Sequence, residues 1–406
     1  MFSERTAVGR DPNPLTEALA RARGVGRAVL DLTVSNPTSS GFPYEGARIL
    51  AALGDPLSLL YEPAPFGLAS TRSAVARLYA EEGVDLDPSR IVLTASTSEA
   101  YAFLFKLLCD DGDEVLIPQP SYPLFELLAR FENVRLVPYP LAYDGEWHID
   151  HAAVEQAVTP RTRAILIVSP NNPTGSYVKR EELERLARLG LPLVSDEVFA
   201  PFVLKPEVDD AHRSGQRRVT SVLVKPKAPL VFALNGLSKL AALPQMKLGW
   251  IGVGGDDDAK VEEALARLEL IADAFLSVGT PIQHAAGTIL AERRPTFRAI
   301  HARLIANLAT LRAGVVDSAA TLLDVEGGWY ATLRLPRVAS EHAWSLMFLE
   351  DDGVYVHPGH FFDFPDEAYV VVSLLTPEST FSEGVMRLIA RVESHLASDG
   401  RTGSSG

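Results

Sequence analysis

The chain has 406 residues, 47% of them hydrophobic, enough for two domains and a substantial buried core. Lys and Arg number 38 against 52 Asp and Glu, and the resulting formal net charge of −14 repels phosphate backbones and argues against nucleic acid as a partner. A single cysteine, Cys109, excludes an internal disulfide. With no apolar run near the ~20 residues that span a bilayer, and no signal-peptide core in "MFSERTAVGR", the expectation is a cytoplasmic protein without membrane contact.

Near the start, "LDLTVSNPTSSGFPY" reads as a strand and loop. From about residue 90, short branched-apolar runs alternate with longer helical patterns: "RIVLTA", "SEAYAFLFKLLC", "DEVLIP", "SYPLFELLARF", "VRLVPYP". The rhythm continues through "RAILIVS", "KREELERLARLG", "LPLVSDEVF" and "LVFALNG". These strands are apolar on both faces, as strands covered by helices on each side must be, and the region reads as one large α/β domain with a mostly parallel sheet. Helices such as "TFRAIHARLIANLATLRAGVV", strands "GGWYATLRL" and "YVVVSLL", and a last helix "SEGVMRLIARVESHL" follow as a smaller α+β domain. The expected division is an N-terminal arm over 1–27, a large domain over 48–288, a small domain from 28–47 with 289–398, and a disordered tail over 399–406.

Three strand ends carry polar clusters. Ser96, Thr97 and Ser98 stand between "RIVLTA" and an apolar helix, where free backbone N–H groups and hydroxyls suit a phosphate, although a plain helix cap explains them as well. "VSPNNPTGSYV" places Asn171, Asn172, Pro173, Thr174 and Gly175 in a turn after a strand, where ligands of open α/β sheets sit; turn chemistry alone accounts for the same residues. Asp196 follows the next strand and either holds a protonated ring nitrogen or caps a helix. Lys239, in "NGLSKLAALPQMKLGW", lies among small apolar residues that lower its pKa and leave it able to form a Schiff base. Together they suit an aldehyde cofactor bearing a phosphate.

In "YEPAPFGLASTRSAVA", "TASTSEA", "PQPSYPLFE", "SPNNPTG", "SDEVF", "LSKLAALPQMKLGW" and "VHPGHFF", taken in order, the chain resembles the class I/II aminotransferases, fold-type I enzymes that use pyridoxal 5'-phosphate (PLP). The resemblance covers about residues 28–398 and implies the aspartate aminotransferase-like fold. It implies that Lys239 bonds the cofactor and carries the proton, that Asp196 keeps the pyridine nitrogen protonated, that Asn172 donates to the 3-hydroxyl and that Tyr122 stacks on the ring. Ser96, Thr97, Ser98, Ser238 and Lys247 are the phosphate candidates. Tyr61 matches a tyrosine that reaches the neighbouring subunit's cofactor, so a homodimer with shared sites is implied. It also implies that the Asn172–Pro173 bond can be cis.

Four positions depart from the family pattern. Phe199 replaces a tyrosine that donates to the 3-hydroxyl, Gly236 replaces a serine, Lys247 replaces an arginine and loses its bidentate fork, and Val371 replaces the arginine that clamps the substrate carboxylate. Arg334 is the candidate to take over that clamp. His357 and His360 read as turn or packing residues, "GGDDDAK" as a solvated turn, and no metal is expected. The expected activity is ping-pong amino transfer between an amino acid and a 2-oxo acid. Its rivals are a PLP-dependent carbon–sulfur lyase or decarboxylase on the same scaffold and a non-catalytic PLP-binding regulator.

Overall fold

The computed structural model describes residues 2–7, 13–206, 217–224, 227–366 and 368–402. Its first strand, β1 (Leu30–Asp31), is followed by eight that build one sheet: β2 (Ile91–Thr94), β3 (Glu114–Gln119), β4 (Arg135–Tyr143), β5 (Trp147–Ile149), β6 (Thr162–Val168), β7 (Leu193–Asp196), β8 (Val231–Gly236) and β9 (Gly249–Gly254). The order across this sheet is β2-β9-β8-β7-β6-β3-β4-β5. Neighbours from β8 through β4 are parallel, whereas β5 and β9 run against their neighbours. Because β2 is antiparallel to β9, it points the same way as β8.

Successive side chains of these strands fall into two different cores, as a two-residue period requires. Ile165, Ile167, Val231 and Ala233 pack on one side of the sheet. Ala164, Leu166, Phe232 and Leu234 pack on the other. The continuous apolar runs in the sequence therefore arise from a sheet buried on both faces.

Five later strands are β10 (Thr321–Leu322), β11 (Tyr330–Arg334), β12 (Val354–Tyr355), β13 (His357–Pro358) and β14 (Tyr369–Ser373). Four of them form an antiparallel sheet in the order β10-β11-β14-β13, while β12 pairs in parallel with β1. A third core, with Trp329, Trp344, Phe348 and Phe381 buried in it, joins this sheet to the helices Arg294–Val315 and Glu378–Thr402. Asn307 ties the first of these helices to the end of β14, its amide donating to the carbonyls of Leu374 at 2.8 Å and Thr376 at 2.7 Å.

The N-terminal segment carries a helix of its own, and the last helix outruns the sequence reading. Within the segment read as an arm, Asn13 caps the helix Pro14–Gly24 by accepting from Thr16 N–H at 2.8 Å, and Leu15 and Ala18 are buried against Leu349. At the other end the last helix continues to Thr402, past the point where a tail was expected; residues 403–406 lie outside the described residues.

Candidate active site

The carboxyl ends of β2, β3, β6, β7 and β8 share one edge of the large sheet, the edge where open α/β sheets place ligands. A cavity of about 470 Å³ opens there. Of the residues singled out from the sequence, Ser96, Thr97, Ser98, Tyr122, Asn172, Asp196, Ser238, Lys239 and Lys247 all line it.

Lys239 sits on the four-residue helix Leu237–Leu240, which starts as β8 ends. Leu237 and Leu240 bury into the core beneath, leaving the amine to project into the cavity. Burial pulls the pKa of the amine below the usual lysine range, against the opposing pull of the Asp196 carboxylate. Aromatic rings flank it, with Nζ 5.1 Å from the ring centre of Trp329 and 5.6 Å from that of Phe199. Phe199 is itself wedged edge-on against Trp329 and Tyr330. The residue that replaces the family tyrosine thus forms part of an aromatic wall beside the lysine.

Asp196 ends β7 and is buried. Its Oδ2 accepts from the Tyr101 hydroxyl at 2.9 Å and its Oδ1 from Val198 N–H at 3.2 Å. Desolvation nevertheless raises its pKa above the ordinary carboxylate range. A cation brought beside it would favour the charged form. Tyr101 was missed in the sequence, although it lies one turn beyond Thr97 on the helix Thr97–Leu108 and so shares its face.

At the start of that helix both readings of the hydroxyls hold. Ser96 is the cap, its Oγ accepting from Glu99 N–H at 3.1 Å, and it lines the cavity together with Thr97 and Ser98 of the first turn. Asn172 is buried, its Oδ1 has no partner, and its bond to Pro173 is cis. Gly175, which closes this turn, has φ of +74°, and a Cβ there would lie 2.7 Å from the Gly327 carbonyl. Gly236 has a related cause: a Cβ would lie 2.9 Å from the carbonyl of Leu248, the residue before β9, leaving no room for the serine of the family pattern.

Two of the residues singled out lie elsewhere. Tyr61 is 80% exposed and lines a separate cleft with Val278 and Gln283. Arg334 is exposed at the end of β11 and does not line the cavity; Tyr330, at the other end of that strand, does. The expected carboxylate clamp at Arg334 is therefore corrected by the strand's geometry. Val371 is fully buried among Trp147, Leu323, Phe362 and Phe364. Among the described residues no group of three or more His, Cys, Asp or Glu comes together to hold a metal ion, and no helix is long and apolar enough to cross a membrane.

Next to Asp196, Glu197 is fully buried and its pKa is pushed up to about 7 by desolvation, despite accepting from Val222 N–H at 2.9 Å. Between pH 4.5 and about 7 the unfolded chain has released the proton that the folded chain still holds, so this group takes away stability as pH rises. Glu197→Gln is expected to abolish that loss, so that the variant gains on the native protein by up to about 3 kcal/mol across the window. Urea unfolding at several pH values measures the difference; a pH-independent difference would mean that Glu197 does not titrate there.

The donor set fits PLP. A nucleophilic amine, a buried carboxylate, the unpartnered amide oxygen of Asn172 and a helix start with hydroxyls converge on one cavity, with Tyr122 and Phe199 as aromatic walls. Comparison with known proteins agrees. Residues 49–382 match the family "Aminotransferase class I and II". The glutamate-pyruvate aminotransferase AlaA of Escherichia coli (strain K12) is 28% identical over 285 residues, covering 68% of this chain and 67% of that one. An alanine aminotransferase of Mycobacterium tuberculosis is 28% identical over 280 residues, covering 67% and 62%. The structure of an alanine aminotransferase from Pyrococcus furiosus superposes with a TM-score of 0.83 over 97% of this chain and 100% of that one, at 23% identity, a likeness of fold.

Proposed function

We infer, since this chain belongs to the class I and II aminotransferase family, that Lys239 is the residue on which its amino transfer turns. The chain is a PLP-dependent aminotransferase acting on an amino acid and a 2-oxo acid, and the lyase and decarboxylase readings are not favoured by its relatives. When bound, the cofactor supplies an aldehyde that condenses with amines and a ring that draws electrons from the carbon beside the nitrogen. The chain's own residues supply the rest.

Burial lowers the basicity of Lys239 and so favours the neutral amine, whose electron pair serves both for covalent attachment and for taking a proton from the substrate's α carbon. Trp329 and Phe199 confine that amine to one side of the cavity. Asp196, oriented by Tyr101 and Val198, holds a negative charge where a ring nitrogen would be kept protonated. Asn172 would donate to the ring's 3-hydroxyl oxygen, Tyr122 would cover a face of the ring, and Thr97, Ser98, Ser238 and Lys247 would hold the phosphate, all of them lining the one cavity. Ser96 serves chiefly to cap the helix that carries two of them.

Tyr61 acts on the partner subunit's site in a cytoplasmic homodimer. Its exposure supports this assignment, as does that of its neighbours Leu59, at 90%, and Leu60, at 62%, a run of apolar side chains of the kind that marks a protein–protein surface.

The observation that carries the reading is the desolvated Lys239 amine facing Asp196 across one cavity. Borohydride reduction of PLP-loaded protein followed by peptide mapping is expected to place the adduct on Lys239, and sedimentation to give a dimer. An adduct on another lysine would overturn the assignment; a monomer retaining full activity would remove Tyr61 from the site.

A further inference from the structure

An amino acid brings a carboxylate into the cavity, and a carboxylate withdrawn from water needs a donor facing it. Among the described residues no arginine lines the cavity; the side chains there that can carry positive charge are Lys239, Lys247 and His357. With the two lysines committed to the cofactor, one such group remains.

His357 is the first residue of β13, and in the antiparallel pair with β14 it lies opposite Val371. Directly opposed residues carry their side chains on the same face, so the imidazole stands beside a fully buried valine that offers no polar group. The rings of Tyr355, Phe361 and Phe362 surround it, with centroids 5.9, 5.7 and 6.0 Å away. Its Nδ1 is buried without a hydrogen-bond partner. A neutral imidazole carries one N–H; with Nδ1 buried and without a partner and the ring lining the cavity, that N–H is free to serve a ligand when the proton sits on Nε2.

We propose that His357 is a specificity-determining residue of this aminotransferase, donating a ring N–H to the carboxylate of the substrate amino acid. The proposal rests on the aminotransferase reading and adds to it the group that recognises the acid. Burial holds the imidazole below its usual pKa, with Asp31, on β1, acting in the opposite sense; Tyr355 and Tyr330 are the other titratable groups nearby. An arriving carboxylate favours the protonated ring, so affinity and proton uptake are coupled at this residue. Tyr330, Phe361 and Phe362 make the adjoining wall apolar, which suits an aromatic probe.

The test uses PLP-loaded protein and two unreactive probes of the same shape, 3-phenylpropanoate and 3-phenylpropanamide, with Kd measured by calorimetry. The native protein is expected to prefer the acid by at least about tenfold, the scale of a hydrogen bond to a charged group. His357→Leu should erase most of that preference and His357→Arg should enlarge it. A purely structural role for the ring would weaken both probes alike and leave their ratio unchanged. An unchanged ratio in His357→Leu, or one that fails to rise in His357→Arg, overturns the proposal, and either variant decides if the other does not fold. The borohydride adduct on Lys239 should persist in both variants. Its absence from the native protein would instead strike the reading beneath.

Discussion

Replacing Lys239 by alanine is expected to lower kcat for amino transfer on the order of 10⁴-fold or more, since it removes an acid–base group and a nucleophile together. The fold should survive, because the neighbours that bury into the core are Leu237 and Leu240, whereas the lysine side chain projects into the cavity. Lys239→Arg is the sharper variant. It keeps a positive charge between Asp196 and the rings of Phe199 and Trp329, but a guanidinium stays protonated and has no free electron pair at neutral pH. It is therefore expected to fail about as badly as alanine. Single-turnover rates, with circular dichroism as the check on folding, measure both; an arginine variant retaining more than a few per cent of native kcat would show that charge, not nucleophilicity, is what position 239 supplies.

Asp196→Ala should weaken cofactor retention by roughly a hundredfold to several thousandfold, the equivalent of the ~3–5 kcal/mol that removing one partner of a buried charged pair costs. It also strands the Tyr101 hydroxyl and the Val198 N–H, so some stability goes with it. Asp196→Asn separates the two effects. The amide oxygen can still accept from Val198 N–H while its NH2 donates to the Tyr101 hydroxyl oxygen and the charge is gone, so the urea midpoint of the cofactor-free protein should not fall. Desolvation already disfavours the charged carboxyl there, and the advantage of the asparagine should grow as pH rises. Cofactor affinity, followed by fluorescence quenching, should still fall with kcat. An asparagine variant with native affinity and native kcat would remove the ring-nitrogen role from Asp196.

Much of the site was legible because its residues follow directly from strand ends. Asp196, Asn172, Lys239 and the Ser96 to Ser98 run each come at or just after an apolar segment, and parallel strands covered by helices deliver such positions to one edge. What escaped the sequence were contacts between segments far apart in the chain. Tyr101 looked like one more apolar helix residue until β7 brought Asp196 to its hydroxyl. Trp329 came beside Lys239, and Tyr330 and His357 into the cavity wall, only because the fold brings segments far apart in the chain together. Arg334 failed as a clamp for a related reason: it belongs to the same strand as Tyr330, but the strand leaves the cavity before reaching it.

By itself, then, the sequence determined that the chain forms a sheet buried on both faces, that polar turns follow its strands, and that one lysine among small apolar residues would be poorly solvated. These follow from composition and period over a few residues, where side-chain size and backbone preference act locally. The tertiary structure alone decided which distant groups face one another: Tyr101 with Asp196, Phe199 and Trp329 with Lys239, His357 with Val371. Strand order and register set those pairings, and since a shift of one residue turns every side chain to the opposite face, no local pattern can specify them.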